Sequence, residues 1–195
     1  MEKSVSEIKA SDIEKKTDLD VAEKIAYELL SLMKGYFIKY EVCGSIRRRK
    51  PQVGDIDIVA IPKLYYNIGE ETLSNFIKKI DPKGISEAEK LGKSGVKRFL
   101  DGDLIKRFEF KGMSVDLYLA DEKTFGTLVL IRTGSKEHNI KLTSIAKERG
   151  LKLFASGKGL CEVDKDGNII KTISTEENEI LAILLGKIPS STERD

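Results

Sequence analysis

Cysteine, histidine and long apolar runs are all scarce in this chain of 195 residues. Its two cysteines, Cys43 and Cys161, stand far apart and without CxxC spacing, which excludes a thiol zinc site and a disulfide-stapled scaffold. Both read as small buried hydrophobes. The single histidine, His138, has no second histidine for zinc and no Ser or Cys partner for a triad, so it reads as a packing or hydrogen-bonding residue. No run of about 18 uncharged apolar residues offers a membrane span. The opening MEKSVSEIKASDIEKK lacks the basic-then-apolar layout of a signal peptide, and the expected address is cytoplasmic, with no membrane partner. No internal repeat or low-complexity tract appears. What is present is 40% hydrophobic residues, enough for a core in one large domain or two small ones.

A net charge of +2 from 34 basic and 32 acidic residues says little until its distribution is read. Residues 132–158 hold seven Lys/Arg (Arg132, Lys136, Lys141, Lys147, Arg149, Lys152, Lys158) against Glu137 and Glu148, and Arg47, Arg48, Arg49 and Lys50 form a second cluster. Such clusters suit phosphate-bearing partners, although solvated basic faces produce the same counts.

From Asp20 onward Val21, Ala22, Ile25, Ala26, Leu29, Leu30 and Met33 recur at helical spacing, with Asp20 and Glu23 placed as a capping box and Gly35 as the stop. Residues 37–43 and 55–61 read as strands, and Leu73, Phe76, Ile77 and Ile80 predict a second helix closed by Asp81-Pro82. Three strands follow, over 96–100, 104–110 and 113–120, joined by Asp101-Gly102 and Lys111-Gly112 turns. Past Ala120 come a Thr-Gly-Ser turn, a helix from about Lys136 to Arg149, short strand pieces around Asp166-Gly167, and a last helix with Ser174 and Glu177 as its box. The order implies an α+β fold: a mixed sheet covered by helices over residues 1–120, and a smaller α+β unit over 121–195.

In Gly54-Asp55-Ile56-Asp57-Ile58-Val59 the strand period of two sends Asp55 and Asp57 to one face and Ile56 and Ile58 to the core. Val115, Leu117 and Leu119 make a buried stripe that leaves Asp116 on the opposite face of its strand, so all three acids converge if the strands pair. Two like charges about 4 Å apart repel by about 4 kcal/mol at an effective dielectric near 20. Divalent metal relieves that repulsion, and carboxylates combined with triphosphate oxygens suit Mg²⁺. Alone, a DxD pair is as readily a strand's solvent face. Upstream, Cys43-Gly44-Ser45-Ile46-Arg47-Arg48 leaves a strand into a turn or short helix whose backbone N–H groups, Ser45 hydroxyl and arginines suit a phosphate.

Gly44-Ser45-x-Arg47-Arg48 followed by Gly54-Asp55-Ile56-Asp57 resembles the signature of family X DNA polymerases within the nucleotidyltransferase superfamily. Val115-Asp116-Leu117 resembles that family's later Asp strand. Thr133-Gly134-Ser135-Lys136-Glu137-His138-Asn139 with Arg149-Gly150-Leu151 resembles its TGS…HN…RGL segment, and the likeness runs from about Asp18 to the closing Ile188-Pro189. The resemblance implies a palm with a thumb, Asp55 and Asp57 binding two Mg²⁺ (or Mn²⁺), and Asp116 binding the catalytic one. It further implies Ser45 and Arg48 on the β/γ-phosphates with Gly44 in their turn, Gly54 beside the triphosphate, Thr133 and Gly134 beside the sugar, and Asn139 at the minor-groove edge of the base. The implied activity is addition of a nucleotide from dNTP to a DNA primer 3′-hydroxyl in gap filling or repair, by a monomer that leaves accessory repair proteins to supply what it lacks.

Two departures qualify the likeness. Ile131 and Arg132 stand where the family has an aromatic pair, which predicts weaker or different rejection of ribonucleotides. A palm beginning near Asp18 leaves no room for lyase or helix-hairpin-helix regions. The alternatives are non-templated transfer to DNA, RNA or a small hydroxyl acceptor, and a nucleic-acid-binding protein with a retired site.

Overall fold

A computed structural model describes residues 16–63, 67–68, 71–81, 100–101 and 103–194. Strand β1 (Thr17–Asp18) leads into helix α1 (Leu19–Met33), then β2 (Phe37–Val42), α2 (Gly44–Arg47), β3 (Gln52–Val53) and β4 (Asp55–Pro62). A small ribbon, β5 (Asn67–Ile68) with β6 (Glu71–Thr72), precedes α3 (Leu73–Ile80). Next come β7 (Leu100–Asp101), β8 (Ile105–Phe110) and β9 (Met113–Leu119). The final stretch holds α4 (Phe125–Thr133), α5 (Lys136–Glu148), β10 (Leu151–Phe154), β11 (Gly159–Val163), β12 (Ile169–Ser174) and α6 (Glu177–Leu185). Of the strand expected over 96–100, positions 96–99 lie outside the described residues, and Leu100 opens β7.

Five strands form one sheet in the order β2-β4-β9-β8-β7, antiparallel except for the central β4–β9 pair. The mixed α+β architecture expected from the element order is therefore the one observed. Alternation sorts the strands into two faces. Ile56, Ile58, Ala60, Val115, Leu117 and Leu119 join Ala22, Ala26, Leu29 and Met33 of α1 and Leu73 and Ile77 of α3 in the main core. Burying each of the Ile, Val, Leu and Met side chains contributes about 1.5–3 kcal/mol. A one-residue slip of β4 would turn that apolar set to the opposite face, so the core fixes where the acids point.

On that opposite face Val59, Ile61, Tyr118 and Ala120 pack with Cys43 against Phe125, Leu128 and Val129 of α4. Helix α4 also contributes Leu130 to a third cluster with Leu142 and Ala146 of α5, Leu153, Leu160, and Ile180, Leu181 and Leu184 of α6. One helix thus belongs to both the large sheet and the small three-stranded sheet β10-β11-β12.

Neither expected capping box forms. Helix α1 starts at Leu19 with Asp18 as its N-cap and no side-chain cap bond; Asp18 instead accepts from Gln52, and Glu23 pairs with Arg49. At α6 the Ser174 hydroxyl caps the backbone N–H of Glu176 and donates to Glu179, while Glu177 is taken by two arginines. In each case a distant partner outcompetes the local one. Cys43 and Cys161 are free and buried.

Candidate active site

The central parallel pair does most of the positioning. In the β4–β9 register Asp57 lies directly opposite Asp116, and Asp55 opposite Ser114, so the early and late acids are lateral neighbours on one face. Asp55 is exposed, Asp57 half-buried and Asp116 buried. Burial, then the nearby charges of Asp55 and Asp116, push the Asp57 carboxyl up to about 8, against the opposing pull of Arg132 and Arg48. A carboxyl held this far above its usual range, by burial first and then by its acidic neighbours, marks a place that favours added positive charge.

Below the acids β2 runs into α2. The Cys43 N–H donates to the Asp57 carbonyl at 2.8 Å, which pins the strand end to β4. Gly44 has φ +58, and a Cβ there would stand 2.1 Å from Asp57 Oδ2. No side chain fits: the Asp57 carboxylate occupies the space that glycine leaves open. Arg47 donates from Nη1 to Thr133 Oγ1 at 2.7 Å, and from Nη1 and Nη2 to Glu177 at 2.6 and 2.8 Å. Arg48 donates to the Thr133 carbonyl, and the Ser191 hydroxyl donates to the Arg47 carbonyl. Arg194 closes the network by donating to Glu177 at 2.6 Å. The turn is thereby tied to the end of α4, to α6 and to the chain's last residues.

A cleft of about 480 Å³ opens above this turn, within the roughly 300–1,000 Å³ usual for ligand sites. Gly44, Ser45, Arg48, Asp55, Asp57, Gly134 and Asn139 line it, so the structure brings seven of the ten expected site residues to one cavity. Three stand outside the lining. Asp116 is turned to Arg107, which donates to both its oxygens at 2.5 Å; Thr133 is buried, its hydroxyl bonded to Arg47; Gly54 leads into β4. Asn139 donates from Nδ2 to the Ile131 carbonyl at 2.8 Å, while its buried Oδ1 has no hydrogen-bond partner among the described residues. His138 is buried, its backbone N–H capping onto Ser135 Oγ; burial, then Arg194 and Lys141, lower its pKa. Its packing role is consistent with that setting.

Sequence reasoning passed over Arg107 and Tyr118, and it singled out Arg132 only as a departure from the family's aromatic pair. Arg107 faces Asp116 because the two-residue Lys111-Gly112 turn sets the hairpin register, with Phe110 opposite Met113 and Arg107 opposite Asp116. Counting back from that turn would have found it. Tyr118, two residues beyond Asp116 on the same face, donates its hydroxyl to Asp116 Oδ2 at 3.1 Å. Arg132 stacks on the Tyr118 ring at 4.1 Å, with a buried Nε that has no hydrogen-bond partner among the described residues. The period of two puts Tyr118 on the acid's face, but nothing local shows Arg132 stacking on its ring.

The donor set is all oxygen and suits a hard divalent ion, in keeping with the raised Asp57. Among the described residues, however, no three His, Cys, Asp or Glu side chains gather closely enough to hold one ion. The bidentate hold of Arg107 on Asp116 gives a physical reason.

Paired acids on the central strands of a mixed sheet, above a glycine-serine turn and beside a smaller helix-and-sheet unit, define a nucleotidyltransferase-like palm with a thumb. Comparison with known proteins agrees. Residues 128–195 match the family model of the DNA polymerase beta thumb. The chain is 31% identical over 142 residues to the DNA polymerase/3′-5′ exonuclease PolX of Bacillus subtilis, a match covering 72% of this chain and 22% of that protein. It therefore spans about a fifth of that relative's length. The fold is similar to polymerase beta of Leishmania infantum in a ternary P/T complex (TM-score 0.64, 21% identity, 95% of this chain and 78% of that one). The same enzyme in a ternary gap complex gives a TM-score of 0.59 at 18% identity, covering 93% and 71%. The chain belongs to the DNA polymerase X family.

Proposed function

We propose that this chain transfers a nucleotide from a dNTP to the 3′-hydroxyl of a DNA primer, in short gap filling during repair. The observation that carries the reading is the lateral pairing of Asp57 with Asp116, beside Asp55 and above the Gly44-Ser45 turn. In this reading Ser45 and Arg48 receive the β- and γ-phosphates, and Gly54 keeps the approach to β4 clear. Thr133 and Gly134 border the sugar, and Asn139 Oδ1, which lacks a protein partner among the described residues, accepts from the minor-groove edge of the base. Asp55, Asp57 and Asp116 are the residues to hold two Mg²⁺ or Mn²⁺ ions, which when bound neutralise charge on the attacking and leaving oxygens. Residues 1–120 then act as catalytic palm and 121–195 as the unit that grips DNA, with Lys136, Lys141 and Lys147 of α5 contributing phosphate contacts. We place the activity in the cytoplasm, in a monomer.

The test supplies Mg²⁺, single dNTPs, and primed, gapped or single-stranded DNA to the wild type and to Asp57→Asn. Template-matched addition that the variant loses supports the proposal. Indiscriminate addition selects non-templated transfer, which the same acidic cluster could also serve. No addition at all leaves a nucleic-acid-binding protein with a retired site. Binding to DNA should fall steeply with salt, because each phosphate contact releases about one counterion.

A further inference from the structure

One lateral row of the five-stranded sheet reads Asp57, Asp116, Arg107 on β4, β9 and β8. Arg107 takes Asp116 with a two-pronged grip: Nε donates to Oδ1 and Nη2 to Oδ2, both at 2.5 Å. The Tyr118 hydroxyl adds a third donor, to Oδ2 at 3.1 Å. An ionised carboxylate offers about four acceptor positions, so three donors leave about one, and that one lies beside a fixed positive charge. Exposure divides the pair unequally: the Asp116 side chain is 7% exposed and that of Arg107 31%. The arginine reaches solvent far more than the acid does.

We propose that Arg107 is a positioning residue that occupies Asp116 in place of a divalent cation and must let go before an ion is shared between Asp57 and Asp116. The inference rests on the reading of Asp116 as a metal ligand. It accounts for the failure of the three acids to gather into one coordinating group, since the late acid is drawn along the row toward β8 while the early pair faces the cleft. It also assigns Tyr118 a part: its hydroxyl stays on Oδ2 when the guanidinium leaves, so the carboxylate keeps one hydrogen-bonded anchor.

Direct titration with Mn²⁺, followed by the electron paramagnetic resonance signal of the free ion and without nucleotide or DNA, tests this on the whole chain. Arg107→Met keeps the apolar stem and removes the fork; it should bind Mn²⁺ about tenfold more tightly than wild type, the equivalent of one charge-assisted hydrogen bond. Arg107→Lys, a single point donor, should fall between the two. Adding Asp116→Asn to Arg107→Met should abolish the gain. Unchanged or weaker binding by folded Arg107→Met overturns the proposal, because Arg107 would then merely brace the acid. So does a gain that survives Asp116→Asn, which would reflect only the loss of a positive charge. If circular dichroism shows Arg107→Met unfolded, Arg107→Lys decides by the same criterion. Primer extension by the wild type separates the two claims. Failed extension with a gain that depends on Asp116 sinks the polymerase reading alone, whereas successful extension without that gain sinks this one alone.

Discussion

Replacing Glu177 with alanine should destabilise the protein by about 3 kcal/mol, because it strands two arginines that now share one carboxylate. Glu177 accepts from Arg47 at 2.6 and 2.8 Å and from Arg194 at 2.6 Å. The Glu177 and Arg194 side chains are 14% and 3% exposed. Breaking a buried ion pair from one side costs about 3–5 kcal/mol. The lower end applies here, because Arg47 is 22% exposed and keeps Glu41 at 3.3 Å and Thr133 at 2.7 Å. Arg194 keeps the Pro189 carbonyl at 3.2 Å. For a chain of this size about 3 kcal/mol lowers Tm by roughly 6–12 °C. Urea unfolding at neutral pH measures the loss, with Glu177→Gln as the milder variant. The pH dependence has a definite sign. Burial pushes the Glu177 carboxyl up, but the hydrogen bonds from Arg47 and Arg194 outweigh it and hold the group below its ordinary 4.5. A carboxyl depressed by folding contributes stability above pH 4.5 and loses that contribution as pH falls through the folded value. The gap between wild type and Glu177→Gln should therefore be full at pH 6 and close as the solution is acidified below about 4.5. A loss under about 1 kcal/mol at neutral pH, or a gap that acid does not close, would refute the reasoning.

Two further substitutions probe the site. Gly44→Ala drives a methyl into the Asp57 carboxylate at a left-handed φ; stability should drop by about 1–2 kcal/mol in urea, and triphosphate binding by calorimetry should weaken more than tenfold. Wild-type affinity in that variant would mean the turn is not a phosphate site. Arg132→Phe restores an aromatic beside Tyr118, where the guanidinium now stacks at 4.1 Å. The ratio of kcat/KM for dNTPs over NTPs should rise, and an unchanged ratio would remove Arg132 from sugar selection.

Much of the palm was legible in the chain because its information is local. The period of two places Asp55 and Asp57 on one face and Ile56 and Ile58 on the other, and the Lys111-Gly112 turn sets the β8–β9 hairpin. The helical stripe of Ala22, Ala26, Leu29 and Met33 identifies the face of α1 that is buried. The bounds of the late helix were nearly right as well, Lys136–Glu148 against an expected end at Arg149. What escaped was decided by partners far along the chain. Both expected capping boxes dissolved because Glu23 found Arg49, and Glu177 found Arg47 and Arg194. Likewise, periodicity correctly turned Asp116 away from the Val115 stripe, but no pattern in β9 alone shows an arginine across the hairpin closing on it. The motif residues were read one by one, whereas their occupancy is settled pair by pair.

The side-by-side alignment of β4 and β9 also has a consequence for how the protein comes into being. A hairpin can zip as soon as its second strand is made, but these two strands run the same way, and the chain between Asp57 and Asp116 must be gathered in before they touch. Contacts that distant in sequence form slowly, after the entropy of closing the intervening loop has been met. On a translating ribosome the Gly-Ser turn and the first two acids would emerge and wait. The face bearing the three acids is completed only when the strand with the third has cleared the exit tunnel, so a truncated nascent chain carries that face unfinished.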